Sequence, residues 1–231
     1  MSLCDPMYTP SSNATRLKWD LGRAHDEEYE RFWAGRTRIP MEIFAKPGPI
    51  WLEIGAGSGG FCVELARRNP HASVVAIERC RTRGKTLVRK AEREALPNLS
   101  AFRGNAVPLV IGKIPTAALD RIYILYPCPW PKNSQRKHRW YLHPAMRHMV
   151  RSLRPGGLLI WASDQRFYID EATLVAQGAH GLEILVHGAI APNPHNDLEH
   201  SPAGRTKFEA TFLAAGQPCY ELVARVPCQA R

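Results

Sequence analysis

No Cys-x-x-Cys pair joins the six cysteines of this chain, Cys4, Cys62, Cys80, Cys128, Cys219 and Cys228, and their spacing is irregular. That excludes a disulfide framework and reads as reduced, mostly buried thiols of a cytoplasmic protein. No run approaches 18 apolar residues, and Met1 to Pro6 leads into no apolar signal region, so neither a membrane span nor secretion is expected. Internal repeats and low-complexity tracts are also lacking, which argues against a second domain. Acid is scarce: 21 Asp and Glu stand against 31 Lys and Arg, a formal charge of +10 over 231 residues. A surplus of that size favours a polyanionic partner, because neutralised phosphates release their counterions. His195-Asn196-Asp197-Leu198-Glu199-His200 lies among Pro, Asn and Gly residues with no second cluster to complete a coordination shell. It reads as a solvated loop, and no metal is expected.

What is present is an alternation of strand and helix patterns. Residues 1–48 form a polar, Pro-flanked lead-in with one helix over 26–33, whose Tyr29, Phe32 and Trp33 read as a packing stripe. The remaining residues, 49–231, suit one domain with a core of its own. Strands are predicted at 50–54, 73–78, 99–103, 119–126, 157–163 and 182–187. Helices are predicted at 60–69, 82–95, about 107–113, 142–153 and 167–179. This order implies a parallel sheet covered on both faces. Residues 206–212 and 220–225 read as two further strands about a turn at Ala215-Gly216-Gln217-Pro218. The expected fold class is α/β and Rossmann-like, a mostly parallel seven-stranded sheet with a C-terminal antiparallel hairpin.

Two segments carry chemistry. In Trp51-Leu52-Glu53-Ile54-Gly55-Ala56-Gly57-Ser58-Gly59-Gly60 a short apolar run enters a glycine cluster, and a helical pattern leaves it. Glycines belong where a ligand lies against bare backbone and where a strand turns tightly into a helix. The second strand ends in Glu78, placed to accept hydrogen bonds from ribose hydroxyls. The loop lacks the Gly-x-Gly-x-x-Gly spacing of a pyrophosphate binder. S-adenosylmethionine, which carries no phosphate, is therefore favoured over NAD. In Leu125-Tyr126-Pro127-Cys128-Pro129-Trp130-Pro131-Lys132 the prolines end a strand and stiffen a loop, and the cationic run Arg136-Lys137-His138-Arg139 follows at once. Ligands of such sheets collect at the carboxyl ends of strands, so Gly55 to Gly60, Glu78, Asn105, Pro127 to Lys132 and Ser163-Asp164 are expected to share one crevice.

With these residues in place, the chain resembles the tRNA (guanine-N7)-methyltransferase family in its bacterial version. The matching pieces are Glu53-Ile54-Gly55 through Gly59, Ile77-Glu78, Gly104-Asn105-Ala106, the Pro-x-Pro-Trp-x-Lys loop with Lys137 and Arg139, Ser163-Asp164, and Arg205-Thr206-Lys207-Phe208-Glu209. The resemblance implies a SAM-dependent methyltransferase fold. It assigns Glu53, Gly55, Gly57, Gly59, Glu78, Asn105 and Ala106 to the cofactor. It places Cys128, Asp164 and Glu209 at the reacting base. Trp130, Lys132, Lys137, Arg139, Arg205, Thr206 and Lys207 join Asp164 and Glu209 in holding substrate, the cations on phosphates. The chain departs from the family in three respects. Cys128 stands where the family has an acid, Gln135 and His138 replace a His and an Arg of the basic run, and Asn105 replaces the acid that touches the adenine. Three functions fit these residues: a tRNA methyltransferase, a relative methylating a small nitrogen heterocycle, and a silent RNA-binding or SAM-binding protein. A monomer or weak homodimer is expected.

Overall fold

Apolar runs set the strands, and the computed structural model, which describes residues 39–190 and 205–228, shows where they lie. They are Ile50–Ile54 (β1), Ser73–Glu78 (β2), Leu99–Arg103 (β3), Leu119–Leu125 (β4), Leu153–Ser163 (β5), Glu183–Ala189 (β6) and Tyr220–Arg225 (β7). They form one sheet in the order β3-β2-β1-β4-β5-β7-β6. The pairings from β3 through β5 are parallel, and β7 lies antiparallel between β5 and β6. Central β1 is buried along its whole length, which is why its sequence is apolar almost without break. Its one acid, Glu53, is therefore an anomaly within the sheet.

The helices are Gly60–Arg68 (α1), Arg81–Glu94 (α2), Ala106–Gly112 (α3), Ala145–Ser152 (α4), Arg166–His180 (α5) and Lys207–Ala214 (α6). Alternate strand residues pack to opposite sides of the sheet, as the two-residue side-chain period requires. Leu52, Ile122, Ile124 and Trp161 join one core cluster, and Trp51, Val74, Tyr123 and Ile160 join the other. Ile43 and Phe44, from the short 3-10 helix Met41–Ala45, are buried in the first cluster. The end of the lead-in thus packs onto the main body. The helix predicted over 26–33 and the segment 195–200 lie outside the described residues. Among the described residues no helix is long and apolar enough to cross a membrane.

One predicted element is wrong in kind. Residues 206–212, expected as a strand, belong to α6. Thr206 sits at its N-cap and its Oγ1 accepts from Glu209 N at 3.1 Å, half of the Ser/Thr-x-x-Glu capping box. The β-branched and aromatic residues Thr206, Phe208, Thr211 and Phe212 suggested a strand, but the cap outweighs that propensity. The antiparallel pair that closes the sheet is β6 with β7.

Gly59 is the tightest point between the glycine loop and α2. Its φ is +80°, and an added Cβ would lie 2.7 Å from Leu87 Cδ1. Gly59→Ala is expected to cost about 1–3 kcal/mol, the sum of left-handed strain and overlap. In a Leu87→Ala background only the strain should remain. Urea unfolding of the four proteins in this cycle measures the coupling; strictly additive effects would refute the contact.

Candidate active site

The carboxyl ends of β1, β2 and β4 and the turn after β3 open into one cleft of about 740 Å³. One wall is built from Gly55, Glu78, Arg79, Cys80 and Arg83, the floor from Asn105, Ala106 and Val107, and the other wall from Tyr126 to Cys128, Trp130, His138, Trp140 and His143. The sequence reading placed Gly55, Glu78, Asn105, Ala106, Cys128 and Trp130 here, and the fold brings them together. It did not anticipate Arg79, Cys80, Arg83, Trp140 or His143. Arg79, Cys80 and Arg83 follow Glu78 directly, so their position beside the strand end was legible.

The glycine loop is a backbone device. Gly55 N and Ala56 N both donate to Ile77 O, at 2.8 and 3.1 Å, and Gly55, Gly57 and Gly59 all adopt positive φ. Gly57 N donates to Glu78 Oε2 at 2.9 Å, and Cys80 N to Glu78 Oε1 at 2.6 Å. Each oxygen of Glu78 keeps capacity for a further donor. The backbone N–H groups of Arg83 and Thr82, and then the charge of Arg83, hold the Cys80 thiol below its ordinary pKa. Asn105 caps α3, its Oδ1 accepting from Val107 N at 3.1 Å.

Glu53 lies behind this loop, 3% exposed, and its Oε2 has no hydrogen-bond partner among the described residues. Burial, reinforced by the charge of Glu78 and opposed by hydrogen bonds from Cys62, pushes its pKa up to about 8. A buried carboxyl with one orphaned oxygen beside a glycine loop, a second carboxylate at the next strand end, and apolar Ile54, Ile77 and Val107 together fit a nucleoside joined to an amino acid that carries an ammonium group. S-adenosylmethionine has that chemistry.

The opposite wall is strained and clamped. Tyr126 and Trp130 hold left-handed φ values of +52° and +47°, each costing about 1–2 kcal/mol for a residue bearing a Cβ. Arg139 holds the loop: its Nε and Nη2 donate to Trp130 O at 3.1 and 2.9 Å, and Nη2 also donates to Pro131 O at 3.2 Å. Its Nη1 meets Glu171 Oε2 at 2.7 Å, and the Tyr141 hydroxyl donates to that same oxygen. At 2% exposure, Arg139 is not the phosphate contact the sequence suggested. An arginine with two backbone carbonyls and a carboxylate before it is satisfied inside the fold.

Arg205 and Glu209 differ from expectation in the same way. Both are buried, and Arg205 pairs with Glu209 and with Glu221 Oε2, the latter at 2.9 Å. The Tyr126 hydroxyl donates to Glu209 Oε2 in a short hydrogen bond, and Phe208 packs on the Tyr126 ring. Glu209 therefore does not line the cleft, and it touches the cleft wall through the Tyr126 hydroxyl. Lys132, Lys137 and Lys207 are exposed, Thr206 is half-buried at the α6 cap, and half-buried Asp164 follows β5, with Gln165 Nε2 donating to its Oδ2 at 2.6 Å. None of these five lines the cleft itself. Among the described residues no group of three or more His, Cys, Asp or Glu could hold a metal ion.

Two outcomes follow from this geometry. Glu53 carries a raised pKa in the folded state, so its neutral form is the one the fold favours. Its contribution is complete below the unfolded value of 4.5 and is lost as pH rises through about 8. Relative to Glu53→Gln, the wild type should lose on the order of a few kcal/mol between those limits. Urea unfolding of both proteins at several pH values measures this, and a pH-independent difference would contradict it. For the clamp, Glu171→Ala should speed hydrogen exchange across residues 127–139, leave the central strands protected, and cost about 1–3 kcal/mol. Glu171→Gln, which keeps an acceptor, should lie between. Unchanged exchange in the loop would show that Arg139 does not need Glu171.

Residues 47–222 match the sequence profile of the family described as "Putative methyltransferase". The tRNA (guanine-N(7)-)-methyltransferase of Chromobacterium violaceum is 30% identical over 206 residues, 88% of each chain. That of Limosilactobacillus fermentum is 29% identical over 212 residues, 91% of this chain and 96% of the relative. Among solved structures, the 16S rRNA methyltransferase KamB superposes with a TM-score of 0.59 at 18% identity, covering 80% of this chain and 91% of its own, a likeness of fold. With the glycine loop, the Glu78 strand end and the Pro-Trp loop meeting at one cleft, the chain belongs to the tRNA (guanine-N7)-methyltransferase family and has the S-adenosylmethionine-dependent methyltransferase fold.

Proposed function

We propose that this enzyme methylates N7 of a guanine in tRNA with S-adenosylmethionine as donor. The observation that carries the proposal is that the glycine-loop wall and the Tyr126 to Trp130 wall face one another across a single cleft. When bound, the donor supplies an electrophilic methyl group on a sulfonium. Glu53 and the loop around Gly55, Gly57 and Gly59 take its amino-acid end, Glu78 accepts from the ribose, and Asn105 and Ala106 border the adenine. Guanine N7 has a free lone pair, so no side chain must remove a proton before attack, and positioning dominates. Trp130 offers a planar face to the base, while half-buried Asp164 lies outside the cleft lining, so among the described residues positive charge developing on the ring meets no lining carboxylate besides Glu78. Glu209 acts through Tyr126. Lys132, Lys137 and Lys207 are the exposed cations for phosphate contacts.

Cys128 supports a second reading. It is exposed at the cleft, and Glu78 is the only carboxylate among the lining residues. A neutral thiol where the family keeps an acid suits a smaller heterocycle that needs no second anion. Methyl transfer from labelled donor to bulk tRNA, followed by nuclease digestion, separates the readings. The expected result is label in 7-methylguanosine, with Cys128→Asp raising turnover by about tenfold to a hundredfold through ~1–3 kcal/mol of charge stabilisation. Label in a small-molecule extract but not in tRNA would select the heterocycle reading. Donor binding without transfer to either would mark a silent protein, and a fall in tRNA activity for Cys128→Asp would contradict the tRNA assignment of this pocket.

A further inference from the structure

The positive charge of this chain is not centred on the loop that its motifs single out. Between Arg79 and Arg103 the chain carries eight Lys or Arg against two acids, Glu92 and Glu94, a surplus of six out of the net +10. The Pro-Trp loop and the run after it carry Lys132, Arg136, Lys137 and Arg139, of which Arg136 and Arg139 face Glu171 at 3.9 and 2.7 Å. Most of the surplus therefore lies on α2 and its flanks.

The arrangement on α2 opposes its own helix. Arg81, Lys85, Arg89 and Arg93 follow one another at four-residue spacing, which sets like charges side by side along an exposed row. The first turn holds Arg81 and Arg83 and no acid, although the helix dipole favours anions there. Among the described residues no carboxylate lies within ion-pair distance of Arg81, Lys85 or Arg89. The row of about 18 Å begins at the cleft, because Arg79, Cys80 and Arg83 form one of its walls. Gly84 and Leu87 on the inner face are buried, and no exposed large apolar side chain lies on the outer face. A membrane-surface helix needs such an apolar face. A polyanion backbone needs only the charge.

We propose that the outer face of α2 is the principal docking surface for the substrate's phosphate backbone, so that the polynucleotide crosses the cleft from α2 toward the Pro-Trp loop. The inference rests on the tRNA reading of the site and locates its anchoring surface. Lys85→Glu/Arg89→Glu tests it in the full chain, since both residues lie outside the cleft. The matched control is Lys46→Glu/Lys113→Glu, two exposed cations near the amino ends of β1 and β4. Titrations with tRNA across a range of salt should show the α2 pair weakened about a hundredfold at roughly 0.1 M salt, with the log–log slope shallower by about two units. The control pair should shift far less, and S-adenosylmethionine affinity should hold in both, which verifies an intact fold. If the wild type binds tRNA and the two variants are indistinguishable, the α2 surface is refuted and the tRNA reading stands. If the wild type binds no tRNA, both fall. Vesicles of anionic lipid competing as well as tRNA for this face would overturn the assignment to a polynucleotide.

Discussion

One carboxylate ties the donor side of the cleft together. Glu78 accepts from Gly57 N through one oxygen and from Cys80 N through the other, so the end of β2 fixes both the glycine loop and the start of α2. Gly84 sits where a Cβ would fall 3.0 Å from Glu78 O, which lets α2 approach the strand that carries this acid. Without that closeness the loop and the helix would set their spacing independently. Glu53, one strand away, shows the converse: an acid in a buried strand whose Oε2 finds no partner among the described residues.

The substrate side depends on a different logic. Two left-handed non-glycine residues bracket the Pro-Cys-Pro segment, and their strain persists because Arg139, Glu171 and Tyr141 hold one end and the Tyr126 to Glu209 bond holds the other. The Arg205, Glu209 and Glu221 triad then anchors α6 to β7. Burial of a paired charge lends little net stability but fixes geometry when every partner is present. Here it fixes where the Tyr126 ring, and with it the cleft wall, must stand. Exposed positive charge remains on Lys132, Lys137 and Lys207 and, in a longer row, on α2.

Much of this was legible in the residues alone. Strand and helix alternation, the glycine cluster at a strand end and the acid at the next strand end dictate a parallel sheet with a crevice at its carboxyl edge, because period and turn chemistry are local properties. The C-terminal segment misled because Thr, Phe and Thr favour strands, although the Thr206 to Glu209 capping box that makes it a helix was equally present. The roles of Arg139, Arg205 and Glu209 were not legible. A cation beside a basic run is the same letter whether it meets water or two carbonyls and a carboxylate, and only packing decides which.

By itself, then, the sequence determined the fold class, the family and the two loops that meet at the cleft, since these follow from patterns within a few dozen residues. Tertiary structure alone decided which charges are internal. Glu171 lies 32 residues from Arg139, and Glu209 lies 83 residues from Tyr126. Pairings at such separations come from the way the sheet and its helices close. That closure turns two expected phosphate contacts into struts and, among the described residues, leaves the row on α2 exposed beside the cleft.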